Sequence, residues 1–264
     1  MLTFFIYHKG FYIPISHFLL QNKLYKTYKI AISILKSECC KLGFALHAKN
    51  VMMDFEESLI KAVGKELPES QVQGCLFHLG QSWWRKVKEL GLSSSYKDIK
   101  SREGRWLRRC FGLPLLPPDM VYSVFQKNLL RGSCSNKLRE FKTYLIKRYL
   151  KSDSQFPPTR WAGLQATGKK TNNGAEAFHR HFGDLFGYTK SKPDIWHFLR
   201  NMERFNKIKD TKIRSEKAEK PVINFWTPLI KNYKLKRLSS NKLLDSLSLK
   251  NQPKTKGLKK KCKQ

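Results

Sequence analysis

The chain has 264 residues, 41% hydrophobic and 12% aromatic, which is enough to bury one sizeable core or a core plus an insertion and excludes a largely disordered chain. Fifty-two lysines and arginines stand against twenty acids, a formal net charge of +32. A charge of about 2–8 suffices to keep a small domain soluble, so this excess points to a polyanionic partner, nucleic acid first, held by phosphate contacts and counterion release.

In chain order, Leu2 to His8 is rich in β-branched and aromatic residues, Lys9-Gly10 reads as a turn, and Phe11 to Leu20 runs again. That pattern predicts a β-hairpin. Asn22 to Leu42 sets Tyr28, Ile32 and Leu35 at helical spacing. Ala48 to Met53 is a short apolar run ending in Asp54, as in a buried strand with an acid at its carboxyl end. Phe55 to Leu67 predicts an amphipathic helix with Phe55, Leu59, Val63 and Leu67 on one stripe, ended by Pro68. Gln71 to Leu76 reads as a strand, and Ser82 to Leu90 as a helix with Trp83 and Val87 inward. Strands alternating with helices predict an α/β sheet covered on both faces. The apolar first twenty residues lack a basic n-region and are interrupted by His8, Lys9, Gly10, Pro14 and His17. No apolar run reaches the roughly 18 residues of a membrane span, so neither a signal peptide nor a membrane partner is expected.

Strand signals vanish from Ser93 to Leu150, where Pro114, Pro117 and Pro118 divide the chain into short helices. This stretch reads as a helical insertion. Asp153 to Lys170 is a loop containing Pro and Gly. A helix is predicted from Asn173, with Phe178, Phe182, Leu185 and Phe186 on its apolar face, and another from Asp194 to Ile208. Phe225 and Trp226 are expected to dock on the domain. Past Ser239 the composition falls to Ser, Asn, Lys and Leu, which predicts disorder. From Asn206 to Gln264 there are eighteen basic and four acidic residues, and Lys259, Lys260, Lys261 and Lys263 close the chain. Such a run reads as a DNA contact, a nuclear import signal or a solvated tail. The six cysteines, at 39, 40, 75, 110, 134 and 262, show no repeated spacing and read as reduced thiols of an intracellular protein.

Acids are scarce, so their placement is informative. Asp54 ends a predicted central strand and Glu176 opens a helix after the insertion. Ligands of α/β sheets bind beyond the carboxyl ends of strands. Two such carboxylates suit Mg²⁺ or Mn²⁺, whose preferred ligands are oxygen. Either acid could instead cap a helix: Asp54 the following one, and Glu176 in a capping box with Asn173. Cys75-x-x-His78 is a possible zinc half-site, but no second pair lies nearby, and a buried thiol beside a satisfied core histidine is the expected reading; zinc is not expected. Arg102, Arg105, Arg108 and Arg109 flank Trp106. They predict either a phosphate-and-base contact or an amphipathic helix with Trp106 in the core.

Several motifs occur together. They are Met53-Asp54-Phe55-Glu56; Gly74-Cys75-Leu76-Phe77-His78 with Trp84-Arg85-Lys86; Phe156-Pro157-Pro158 with Trp161; Thr171-Asn172-Asn173-Gly174-Ala175-Glu176-Ala177-Phe178-His179; and Pro193-Asp194-Ile195-Trp196. In order and spacing, from about Phe4 to Asn206, they resemble the Mutator-like (MULE) transposases of the DDE superfamily. The resemblance implies a ribonuclease-H-like α/β fold with a helical insertion before the last acid, and cutting and joining of DNA by three acids and two Mg²⁺ or Mn²⁺ ions. It implies that residues 1–92 begin the core, 93–152 form the insertion, 153–210 end the core, and 211–264 are a basic, partly disordered tail. By resemblance Asp54 is the second acid and Glu176 the third, His78 faces the site to position DNA or metal, and His179 orients Glu176. The family's first acid lies on a strand before the hairpin, and residues 1–37 contain no Asp or Glu. The expectation is therefore a nuclear DNA-transposase fragment that lacks that strand and is inactive alone. The alternative is a domesticated, non-enzymatic nuclear protein that binds DNA or chromatin. Homo-oligomerisation is left open.

Overall fold

The structure, a computed structural model, describes residues 1–8, 11–130, 135–163, 194, 196, 198–204 and 226–248. The chain is α/β, with small sheets and mostly helix. It divides into two units: Met1–Lys49 with Glu56–Gln71 and Asn172–Val222, and Asn50–Phe55 with Val72–Thr171 and Ile223–Gln264.

In the first unit, strands β1 (Leu2–His8) and β2 (Phe11–Phe18) form the predicted antiparallel hairpin. Its register slips between Phe4, opposite Ser16, and Phe5, opposite Pro14. The slip falls beside Pro14, which has no N–H for a regular ladder and is tolerated at such irregularities. Rings pair across the strands, Phe4 with Phe18 and Tyr7 with Tyr12, with centroids 5.8 and 5.2 Å apart.

Helix α1 (Tyr25–Lys41) buries Tyr28, Ala31, Ile32 and Leu35, the predicted stripe plus an alanine, and packs on α2 (Glu57–Glu66). It ends in a Schellman motif. Gly43 sits at φ +79°, its N–H donates to Cys40 O, and Phe44 N–H donates to Cys39 O. Helix α2 starts later than expected, and it buries Ile60, Ala62 and Val63. Phe55 and Leu67 lie outside it, so the stripe turns toward Ile60. A second tie between these helices is polar: the Tyr28 hydroxyl donates to Glu56 Oε1 at 2.7 Å.

In the second unit, β3 (Asn50–Met53) and β4 (Gln71–Gly74) form a two-stranded sheet. They run parallel, because Gln71 N–H donates to Lys49 O and Cys75 N–H to Met53 O. β4 stops at Gly74 and helix α3 runs from Leu76 to Glu89, so the strand is shorter and the helix starts earlier than the sequence suggests. The predicted inward pair, Trp83 and Val87, is fully buried.

Trp83 is the hub of the core. Its ring meets Phe111, Tyr149 and Trp161 edge-on, with centroids 5.9, 5.7 and 5.6 Å away. No strand occurs among the described residues of 93–152. They form α4 (Ser93–Lys97), α5 (Arg102–Cys110), α6 (Pro118–Phe125) and α7 (Asn136–Leu145), and π-helical turns at Gln126–Leu130 and Ile146–Leu150 extend α6 and α7. Through Phe111 and Tyr149 this helical run shares its core with α3. The Phe156-Pro157-Pro158 segment belongs to that core too. Phe156 and Trp161 are buried, and the Trp161 indole N–H donates to Phe156 O at 2.9 Å.

The predicted disorder past Ser239 is overturned for residues 240–248. After α8 (Trp226–Lys234), helix α9 (Ser240–Ser248) packs on α5 with Leu243, Leu244 and Leu247 fully buried. Asp245 receives Arg109 Nε and Nη2 at 2.6 and 2.8 Å. Leucines at i, i+1 and i+4 form a helical stripe that the polar background conceals. The Lys9-Gly10 turn, the helix predicted from Asn173 and the docking of Phe225 lie outside the described residues.

Candidate functional site

β3 carries Asp54 to the carboxyl end of the parallel pair, and its neighbours hold it there. Met53 is buried and its carbonyl accepts Cys75 N–H at 2.8 Å. On the other side the Phe55 ring lies against Phe156 and Tyr149, with centroids 5.2 and 6.3 Å away. That ring also occupies the space a side chain at Gly74 would need: a Cβ there would collide with it. The acid is thus flanked by two anchored residues while its own side chain is 51% exposed.

Asp54 is not at the N-cap position of α2. The residue at the start of α2 is Glu56, whose side chain makes no capping bond; it takes the Tyr28 hydroxyl and lies 3.6 Å from Lys23 Nζ. The Asp54 carboxylate turns to α3 instead, where Oδ1 lies 2.7 Å from His78 Nδ1. His78 sits on the first turn of α3, and Cys75 immediately precedes that helix. The Cys-x-x-His spacing therefore spans a strand-to-helix junction, not a strand end.

The His78 ring also hydrogen-bonds the fully buried Cys75 side chain. Its pKa is pushed up to about 10, first by the Asp54 hydrogen bond, then by the Cys75 hydrogen bond, with burial opposing both. His78 is therefore an imidazolium at neutral pH, clamping one oxygen of Asp54. No group of three or more His, Cys, Asp or Glu side chains among the described residues is arranged to hold a metal ion. Asp54 nonetheless fits one role in such a site: it is a partly exposed, hard oxygen donor at a strand's carboxyl end.

The structure separates the four arginines near Trp106. Trp106 itself is only 7% exposed and its indole N–H donates to Leu129 O at 3.0 Å, so its ring is core and takes no base. Arg109 is held by Asp245 and by Asn241 Oδ1 at 3.0 Å. Arg108 stacks over the Tyr96 ring, 4.6 Å from its centroid, and donates to Tyr96 O. Arg102 and Arg105 remain exposed. Glu176, His179, Lys259, Lys260 and Lys261 lie outside the described residues. The sequence reading missed the bond between His78 and Asp54. Its signal was an acid ending one strand and a Cys-x-x-His following the next.

Residues 1–82 match the MULE transposase domain family, which supports a Mutator-like transposase domain in this part of the chain. The matched stretch runs from β1 into α3 and contains Asp54, Cys75 and His78. No curated protein and no solved structure matches the chain.

Proposed function

We propose, on the premise that residues 1–82 carry a MULE transposase domain, that the chain supplies part of the catalytic region of a Mutator-like DNA transposase working in the nucleus. In this reading β3–α2–β4–α3 belongs to a ribonuclease-H-like core, the helices of 93–152 are its insertion, and the substrate is DNA. The observation that carries the reading is the anchored Asp54, held by His78 inside the stretch that matches the family.

Asp54 and Glu176 would hold Mg²⁺ or Mn²⁺, which when bound polarises the scissile phosphate and activates the attacking oxygen. The residues' own work is positional. Met53 and Phe55 fix the backbone on either side of Asp54. His78 Nδ1 lies 2.7 Å from one carboxylate oxygen, and this ion pair limits its rotation. By the resemblance, His179 would orient Glu176. Arg102 and Arg105, with Lys259, Lys260 and Lys261, supply the cations for the phosphate backbone.

Of the three acids implied by the resemblance, these 264 residues supply two, since residues 1–37 contain none. Two carboxylates fix paired divalent ions poorly. Incubation of supercoiled plasmid with Mg²⁺ or Mn²⁺ tests this directly. The 264 residues alone should leave the plasmid intact, and a version extended by an acid-bearing strand should nick it. Nicking by the 264 residues alone that disappears in Glu176→Gln would show a complete site and overturn the two-acid reading.

A further inference from the structure

The turn between α4 and α5 presents an unusual combination. Lys97, Asp98, Ile99 and Lys100 are all exposed, as are Arg102 and Arg105 just beyond. Ile99 is 64% exposed, although turn positions ordinarily take Gly, Asn, Asp or Pro. A single exposed aliphatic residue needs no explanation. This one sits on a tip that cannot fold it away.

The tip is locked from several sides. Asp98 Oδ1 accepts the N–H groups of Lys100 and Ser101 at 3.0 and 3.2 Å. The Ser101 hydroxyl donates to Asp98 O and accepts Gly104 N–H, both at 2.9 Å. Arg105 Nη1 reaches back to Lys100 O at 2.8 Å. Gly104 lets the backbones close up, since a Cβ there would collide with Asp98 O and Ser95 O. Asp98 keeps its negative charge while its Oδ1 accepts these backbone N–H groups, and Lys97, Lys100, Arg102 and Arg105 outnumber it. At the start of α5 the Ser101 side chain takes the Gly104 N–H, and the cations of the tip are side chains.

We propose that this turn is a duplex-DNA contact in which Lys97, Lys100, Arg102 and Arg105 hold phosphates and Ile99 enters the minor groove against a base step. The inference rests on the DNA-binding reading above and names a contact mode for it. Duplex DNA is the occupant that the net charge of +32 and a tip of cations around one apolar side chain suit together. Minor-groove proteins insert Ile, Leu, Phe or Met between base steps and unstack them in this way. Trp106, the aromatic residue nearest these arginines in sequence, is in the core, so Ile99 is the apolar group on this surface.

The test uses the full chain and a short duplex carrying 2-aminopurine, titrated at several salt concentrations. The wild type should bind with a steep salt dependence and brighten the probe as the base unstacks. Ile99→Ala should bind with the same salt slope but without the brightening. The double variant Lys97→Gln with Lys100→Gln should lower the slope by about 2, roughly one per lost phosphate contact. Circular dichroism checks that both variants keep their helix content; a variant that loses it is replaced by Ile99→Ser or by Arg102→Gln, read in the same way. Wild-type binding with an unchanged slope in the lysine variant, or with brightening retained in Ile99→Ala, would overturn this inference and leave the functional reading intact. A wild type that does not bind duplex DNA would overturn that reading itself.

Discussion

His78 controls how the Asp54 carboxylate is presented. Because the imidazolium is stabilised mainly by Asp54, removing that carboxylate should remove most of the upward shift. In Asp54→Asn, an NMR titration of the His78 ring should give a pKa well below the wild-type value of about 10 and nearer its ordinary 6.5. The linked stability has a definite sign. A raised histidine pKa contributes fully below 6.5 and is lost as pH rises toward 10, so this contribution should fade across that window in the wild type and be muted in the variant. Identical titration curves for the two proteins would mean that Asp54 does not hold the ring. The sequence made both residues visible, one ending an apolar run and the other in a Cys-x-x-His. It did not make their bond visible, because β-rich Gln71 to Leu76 masks the point where the strand gives way to α3.

At the scale of elements, the places of β3 and β4 were legible as short runs, and helices α1 and α3 through Tyr28, Ile32 and Leu35 and through Trp83 and Val87, which are buried as expected. Where two periods compete the reading failed. Phe55 looks like the first turn of α2 but anchors in the aromatic core beside Phe156, which moves the buried face of α2 onto Ile60. Helix α9 was lost in a polar background, yet three of its residues are fully buried leucines. Leu244→Ala should therefore cost about 2–5 kcal/mol locally, the range for emptying a buried leucine site. Hydrogen exchange should show faster amides in both α9 and α5, since the two pack together. If α5 keeps full protection in Leu244→Ala, α9 is not part of that core. The four arginines illustrate the same limit. Periodicity says that one face of α5 is basic, but only packing says that Arg109 is occupied by Asp245 and that Arg102 and Arg105 are exposed.

At the scale of the whole molecule, charge was the most legible property, since a net +32 needs no fold to be read. The division into two units was not legible, because both are discontinuous in the chain and three of their five boundaries fall along the β3–α2–β4 run. The proposed metal site is equally non-local. It asks Asp54 and Glu176, far apart in sequence, to reach a common ion through metal–oxygen bonds of about 2.0–2.6 Å. Paramagnetic broadening by Mn²⁺ measures that convergence without requiring turnover. The proposed account expects titration with Mn²⁺ to broaden the amide signals of Asp54 and Glu176 together, and both effects to weaken in Asp54→Asn and in Glu176→Gln. Broadening centred on one acid and absent at the other, or unchanged by either substitution, would contradict it.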